Sequence, residues 1–295
     1  MSETMRQRFR DEAMATHFEI LFDHPDRERC GSLAALAFRE VERLESLLSR
    51  FMQGSDIYRI NNLQKGESIG ISNECHECLL MAMELGVLTN GLFDIGAGCF
   101  MPLVRDDEGR SIQSGEEEWT FARRRREEGR FIIHEDRPEV SCEAEGLVLD
   151  LGGIGKGFAL EVIDRLLSDF DDLNYLLSAG GSTLLARGFS SSWKVNLSGE
   201  SEGFSIDLKN ESLSSSSFET QGAHIIRLGY PSRESHRKRV WVKGPNAALC
   251  DGLSTAFLLM DRREIKEVIS DLSFEISVWE EGVEGDINLL TVLRA

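Results

Sequence analysis

The chain of 295 residues is short of positive charge: 33 Lys and Arg stand against 51 Asp and Glu, a formal net charge of -18. A surface of that sign repels nucleic acid and anionic membrane faces unless a basic patch intervenes. The only basic run, Arg123 to Arg126, is followed at once by Glu127 and Glu128, and such a mixed run reads as a solvated helix face. No stretch approaches the roughly 18 uninterrupted apolar residues of a membrane-spanning helix. Met1 to Phe22 is broken by Arg6, Arg8, Arg10, Asp11 and Glu12 and holds no apolar signal core, so the expected compartment is the cytoplasm, with no nucleic acid and no inserted membrane among the partners. Six cysteines, Cys30, Cys75, Cys78, Cys99, Cys142 and Cys250, are then expected to stay reduced. Cys75-His76-Glu77-Cys78 has a metal-like or redox-like spacing. No second Cys or His pair accompanies it, however, and it lies inside a helical pattern, which favours a structural reading. No internal repeat and no domain boundary is visible. One domain over residues 1–295 is expected.

What is present is a folded globule, 41% hydrophobic and able to bury a sizeable core. Met14 to Phe22 reads as a strand, and Leu33 to Phe51 as an amphipathic helix with Leu33, Ala37, Val41, Leu44 and Leu48 on one stripe. A second helix, Cys75 to Leu88, follows a cap at Ser72 or Asn73 and stops at Asn90-Gly91. Arg105 to Glu128 reads as a surface excursion or a rim helix. Arg130 to His134 and Leu147 to Leu151 read as strands around a polar turn at Glu135 to Glu145. A helix ending near Leu167 precedes strands at Tyr175 to Leu177, Ser182 to Arg187, Trp193 to Leu197 and Gly203 to Leu208. Ser212 to Ser217 is serine-rich and too short for a disordered linker. Strand Arg239 to Val242, helices Gly252 to Met260 and Arg262 to Ile269, and strand Phe274 to Trp279 complete an α+β pattern.

The most informative segment is Leu147-Val-Leu-Asp-Leu-Gly-Gly-Ile-Gly-Lys-Gly-Phe-Ala-Leu160. Glycine allows close backbone approach, and a following helix aims free N–H groups at an anion, so the turn suits a phosphate or pyrophosphate. It is no Walker loop, because Asp150 and Gly157 stand where glycine and Ser or Thr are needed. Gly153, Gly155 and Gly157 also miss the dinucleotide-binding spacing. A packing turn between strand and helix remains open.

Further along, Asp251 and Thr255 fall on one face of a helix at i and i+4. A carboxylate and a hydroxyl are hard oxygen ligands that suit magnesium shared with substrate phosphates. From this segment alone the stronger reading is structural, with Asp251 as a helix cap and Thr255 bonded back to the carbonyl four residues earlier. Gly91-Leu92-Phe93-Asp94-Ile95-Gly96 places a carboxylate beside an aromatic ring in a glycine-rich bend, and Ser178-Ala179-Gly180-Gly181-Ser182 adds another bend. His224, at the edge of an apolar strand, is either structural or suited to proton transfer near neutrality.

Taken in order, Ala13-Met14-Ala15-Thr16, Ser49-Arg50-Phe51 with Ser55-Asp56-Ile57-Tyr58-Arg59-Ile60-Asn61, Gly91 to Asp94, Asp150 to Gly157, Ala179-Gly180-Gly181, His224-Ile225-Ile226 and Asp251 to Thr255 resemble the FAD:protein FMN transferase family, the ApbE family, once called thiamine-biosynthesis lipoproteins. The resemblance covers nearly the whole chain. It implies mixed sheets with packed helices and magnesium-dependent transfer of FMN from FAD, the substrate, to a Thr or Ser hydroxyl of an acceptor protein, with release of AMP. By that likeness Asp251, Thr255 and the Gly153 carbonyl hold the metal. Met14, Phe51, Leu92, Phe93, Asp94, Asp150, Lys156 and Ile225 contact FAD, and His224 or Asp94 takes the hydroxyl proton. The chain departs from the family at Ala15, usually Gly; at Ile95-Gly96, usually Pro-Thr; at Ser182, usually acidic or Asn; and at Arg227-Leu228, usually Asp-Pro. These positions touch the flavin pocket and the acceptor side. Two other outcomes of the same site are an FAD pyrophosphatase giving FMN and AMP, and a non-catalytic FAD-binding protein.

Overall fold

The computed structural model of the chain describes residues 6–104, 110, 112–170, 172–188, 192–197, 204–217 and 237–293. The candidate residues His224 and Ile225, and the departures Arg227 and Leu228, lie outside the described residues.

In chain order the elements are strands β1 (Arg6–Ala13) and β2 (Thr16–Asp23), helices α1 (Arg27–Leu48) and α2 (Asp56–Asn61), strand β3 (Ser68–Gly70), helix α3 (Asn73–Leu88), a 3-10 turn (Ile95–Cys99), and helices α4 (Met101–Val104) and α5 (Glu116–Glu128). There follow β4 (Arg130–Ile133), β5 (Glu139–Ala144), α6 (Gly155–Leu167), β6 (Tyr175–Ala179), β7 (Thr183–Arg187), β8 (Trp193–Asn196), β9 (Ser205–Leu208), β10 (Glu211–Ser217), β11 (Arg237–Gly244), α7 (Ala247–Leu259), α8 (Arg262–Ser270), β12 (Ile276–Gly282) and β13 (Ile287–Leu293). The class is α+β. An eight-stranded sheet runs β1-β2-β6-β7-β10-β11-β12-β13, beside a three-stranded sheet β3-β5-β4 and a β8-β9 hairpin, and all recorded pairings are antiparallel.

Side chains alternate across a strand, so the large sheet has two different faces. Leu177, Leu185, Val240, Val242, Ile276 and Val278 join the main core with the stripes of α1, α3, α6, α7 and α8. Their neighbours Ala186, Trp241 and Trp279 turn the other way, onto Trp193 and Leu208 of the β8-β9 hairpin. Trp241 and Trp279 stand directly opposite each other in the register of β11 and β12. Among the described residues no helix is long and apolar enough to cross a membrane.

Several expected boundaries move for local reasons. Strand β2 starts at Thr16, because Met14 and Ala15 form the hairpin turn at φ of 52° and 55°, the left-handed pair a two-residue turn requires. The charged segment before them pairs as β1. Helix α1 begins ahead of its apolar stripe because the Asp26 side chain caps it. The expected strand Leu147 to Leu151 is not one. The Asn61 side chain takes both polar backbone groups of Leu149, at 2.7 and 3.0 Å, and the Asp150 N–H donates to the Ile95 carbonyl at 2.8 Å. No ladder is needed to satisfy this backbone. The strand lies instead at β5, inside the expected polar turn. The serine-rich stretch is the interior strand β10, and β13 had no counterpart in the sequence reading.

Candidate active site

Helix α7 packs on β10, and the site grows from that contact. Asn246 caps α7, its side chain accepting the Leu249 N–H, so Asp251 is no cap. It sits a turn further in, 1% exposed. A carboxylate this deeply buried requires partners. Asp251 Oδ1 accepts from the hydroxyls of Thr183 (3.2 Å) and Ser214 (3.1 Å), and Oδ2 from the Gly157 N–H (3.1 Å), with Lys156 Nζ at 3.4 Å. One helical turn on, the Thr255 hydroxyl donates to the Asp251 carbonyl at 3.2 Å and lies 3.1 Å from the Ser216 hydroxyl. The back-bond anticipated for Thr255 is therefore made, and its oxygen still faces the strand. Ser214 and Ser216 point the same way because a strand repeats every two residues. They meet Asp251 and the Ser254-Thr255 pair, one helical turn apart.

The glycine-rich turn delivers Lys156 and Gly157 from the other side. Helix α6 has no side-chain cap, its N-cap position being Ile154, so its first N–H groups need acceptors. One acceptor is Asp251: the anion that meets this helix start is the protein's own carboxylate. The approach depends on a missing side chain. A Cβ at Gly157 would lie 2.3 Å from the Ala247 carbonyl oxygen, inside α7. Lys156 Nζ also donates to the Gly152 carbonyl at 3.3 Å. Gly153 faces Phe93 and Thr255, whose nearest side-chain atoms are 3.1 and 3.7 Å from the position its Cβ would take.

Phe93 is buried between the turn and Gly252 of α7, while Leu92 beside it is half-buried against the main core. Asp94 caps the 3-10 turn through the Gly96 N–H (2.8 Å) and takes two bonds from Arg126, at 2.6 and 2.9 Å. Asp150 accepts the Gly152 N–H (2.7 Å) and lies 2.7 Å from Arg50 Nε. The guanidinium carbon of Arg50 stands 4.1 Å from the ring centroid of Phe51, which is 74% exposed. Each candidate carboxylate thus has its own cation: Arg126 for Asp94, Arg50 for Asp150, Lys156 for Asp251. The local charge balances in a protein with an acidic surface.

At the turn before α6, Gly153 lies beside Phe93 and Thr255, and Lys156 and Gly157 meet Asp251; Asp150 stands in the same turn, and Asp94 follows Phe93 in the chain and is held by Arg126. Phe51 is linked to Asp150 through Arg50. Met14 lies in the β1-β2 turn, and next to that turn the Gly180 N–H donates to the His17 carbonyl at 2.8 Å. An open cleft of about 500 Å³ adjoins that turn, lined by Glu12, Thr16, His17 and Glu45. The sequence reading missed Thr183, Ser214 and Ser216 as partners of α7, and Arg126 as a partner of Asp94. Ser214 to Ser217 is an unbroken run of serines, so no alternation marked this stretch as a strand. Arg126 gave no signal either, because its partner is 32 residues away.

Two chemistries can be weighed against these groups. All six cysteines are free and buried, and burial pushes the thiols of Cys75, Cys78 and Cys250 upward, so none is a ready thiolate. Among the described residues no group of three His, Cys, Asp or Glu side chains is placed to hold a metal ion. The set inferred from the resemblance is of a different kind, one carboxylate, one hydroxyl and one backbone carbonyl. Thr255 bonds the Asp251 carbonyl and Gly153 lies beside Thr255; oxygens of these three kinds suit a magnesium ion shared with phosphates and water, and Asp251, whose oxygens already meet four donors, would exchange one of them for the ion.

The fold is that of several solved structures. A flavin transferase ApbE from Vibrio cholerae matches with a TM-score of 0.78 at 19% identity, over 97% of both chains. The apbe protein of Thermotoga maritima matches with a TM-score of 0.81 at 21% identity, over 97% of both chains. In sequence, the FAD:protein FMN transferase of Escherichia coli K12 is 23% identical over 281 residues, 87% of this chain and 79% of that protein. The protein of the same name from Haemophilus influenzae is 25% identical over 269 residues, 81% of this chain and 77% of that protein. The sequence model of the ApbE family matches residues 14–278, most of the chain, and the protein belongs to the ApbE family.

Proposed function

We propose that this protein transfers FMN from FAD to a Ser or Thr hydroxyl of an acceptor protein and releases AMP, acting as one domain in the cytoplasm. The observation that carries the reading is the pairing of Lys156 with Asp251 at the start of α6, beside the Thr255 hydroxyl, in a chain whose relatives are named FAD:protein FMN transferase. In the reaction the acceptor oxygen forms a bond to the FMN phosphorus. The phosphorus–oxygen bond to AMP breaks, AMP keeps the electron pair, and the hydroxyl proton goes to a base.

Such a displacement needs alignment and neutralised phosphate charge more than covalent help from the protein. Lys156 supplies a cation at the turn, and the Asp251 network fixes it there. Magnesium, held by Asp251, Thr255 and the Gly153 carbonyl, would supply further neutralisation of the pyrophosphate. His224 is the proposed base. Asp94, engaged through both oxygens by Arg126, serves better as a hydrogen-bond acceptor for FAD. Phe51 offers an exposed ring for stacking, and Met14, Leu92, Phe93, Asp150 and Ile225 complete the FAD contacts.

Titration with FAD, with and without EDTA, tests the metal-linked part. Binding is expected to weaken sharply on chelation and in Asp251→Asn. Equal FAD affinity with and without EDTA would remove magnesium from the account.

A further inference from the structure

Four consecutive arginines on α5 read as one solvent-facing charge run, yet they divide. Arg123 pairs with Glu116 and Arg124 with Glu128. Arg125 donates to the Gly146 carbonyl at 3.0 Å, and Arg126 reaches Asp94 through Nε to Oδ2 at 2.6 Å and Nη2 to Oδ1 at 2.9 Å. The fork is the strong geometry for holding a carboxylate. With the Gly96 N–H also on Oδ1, Asp94 is held by three donors. The hydrogen bond and charge of Asp94 raise the Arg126 pKa, so the guanidinium is charged throughout.

The backbone makes room for this pair. A Cβ at Gly96 would lie 2.4 Å from Arg126 Nε and 2.7 Å from its Cδ. Gly96 is not among the glycines with positive φ, so position 96 requires space rather than a special backbone conformation. Helix α5 is held against the 3-10 turn by the stacking of Trp119 on Phe100, ring centroids 6.0 Å apart, which fixes where Arg126 enters. A Thr at 96 and a guanidinium at 126 could not both keep these positions.

We infer that Arg126 is a positioning residue for FAD: it fixes the Asp94 carboxylate as a hydrogen-bond acceptor at the flavin end of the site, and Gly96 is the space that lets it do so. The inference rests on the proposed function, in which Asp94 contacts FAD. A carboxylate has about four lone-pair sites. Three are occupied, so Asp94 offers substrate one acceptor position in a set direction, matched to an N–H of the isoalloxazine ring or a hydroxyl of the ribityl chain.

The test measures FAD affinity by flavin fluorescence, with KM, kcat and melting temperature, for the wild type, Arg126→Met, Arg126→Lys, Gly96→Ala and the Gly96→Ala/Arg126→Met double variant. Arg126→Met is expected to weaken FAD binding about ten-fold or more, the scale of losing a charge-assisted contact, with KM rising more than kcat falls. Arg126→Lys recovers part of the loss. Gly96→Ala alone weakens binding about as much, because it displaces Arg126. In the double variant the two effects do not multiply. The inference is overturned if Arg126→Met binds FAD within about two-fold of wild type, if the effects multiply, or if the variants lose only melting temperature. A wild-type protein that neither binds FAD nor releases AMP removes the proposed function and this inference together; one that does both beside an unaffected Arg126→Met removes the inference alone.

Discussion

Replacing Asp251 by Ala should cost stability even without any ligand. The side chain is 1% exposed and gathers four donors, so the loss can be worked through donor by donor. The Thr183 and Ser214 hydroxyls lie 3.0 Å apart and can bond each other once the carboxylate is gone. The Gly157 N–H, buried at the start of α6, has no such substitute, and an orphaned buried donor costs about 1–3 kcal/mol. Lys156 keeps its bond to the Gly152 carbonyl at 3.3 Å but loses its counter-charge. Removing one partner of a buried ion pair costs about 3–5 kcal/mol. The side chain of Lys156 is 18% exposed, so water offsets part of that, and the whole change is expected near about 3–4 kcal/mol. Asp251→Asn keeps an acceptor for the two hydroxyls but turns an amide donor toward Gly157 and Lys156, and should lose about 1–3 kcal/mol. Urea unfolding followed by circular dichroism reads both values. A loss below about 1 kcal/mol for Asp251→Ala, on the scale of an ordinary surface change, would refute the claim that this carboxylate organises the site.

Other consequences follow from single contacts. Gly157→Ala places a Cβ 2.3 Å from the Ala247 carbonyl oxygen, so α6 and α7 must separate; a loss of about 3 kcal/mol or more is expected in the same assay. Phe51→Ala removes a ring that is 74% exposed. Unfolding should change by less than about 0.5 kcal/mol, while FAD affinity falls roughly three- to ten-fold by fluorescence titration, the worth of one stacking contact. Desolvation raises the pKa of Glu161, which accepts the Ala247 N–H at the start of α7. The folded state then holds this proton more tightly than the unfolded state, so stability falls as pH rises from the ordinary glutamate value near 4.5 to the raised one. Thermal melting across that range should show a shallower slope for Glu161→Gln.

Much of this arrangement is legible in the residues because its signals are local. Asp251 and Thr255 share a helix face by spacing alone, and the Leu147–Leu160 segment announces a tight turn before a helix. Ser72 caps α3 as its position suggests, and Asn90 and Gly91 end that helix at φ of 51° and 79°. What escaped depends on partners distant in sequence. Leu147 to Leu151 has strand-forming side chains, yet its backbone is satisfied by Asn61, 88 residues away. Ser212 to Ser217 lacks the apolar residues that mark an interior strand. Two of its hydroxyls, those of Ser214 and Ser216, answer Asp251, Ser254 and Thr255 on α7. Arg126 resembles its three neighbours until α5 is docked on the 3-10 turn.

The most direct test of the transfer reaction is a count of products. The protein is mixed with FAD, magnesium and an acceptor domain carrying one target hydroxyl; AMP is measured by chromatography and flavin on the acceptor by mass spectrometry. The account predicts AMP and covalently attached FMN in equal amounts, with both lost in EDTA and when the acceptor hydroxyl is removed. AMP accompanied only by free FMN, at a rate indifferent to the acceptor, would contradict it and make the protein a hydrolase of FAD.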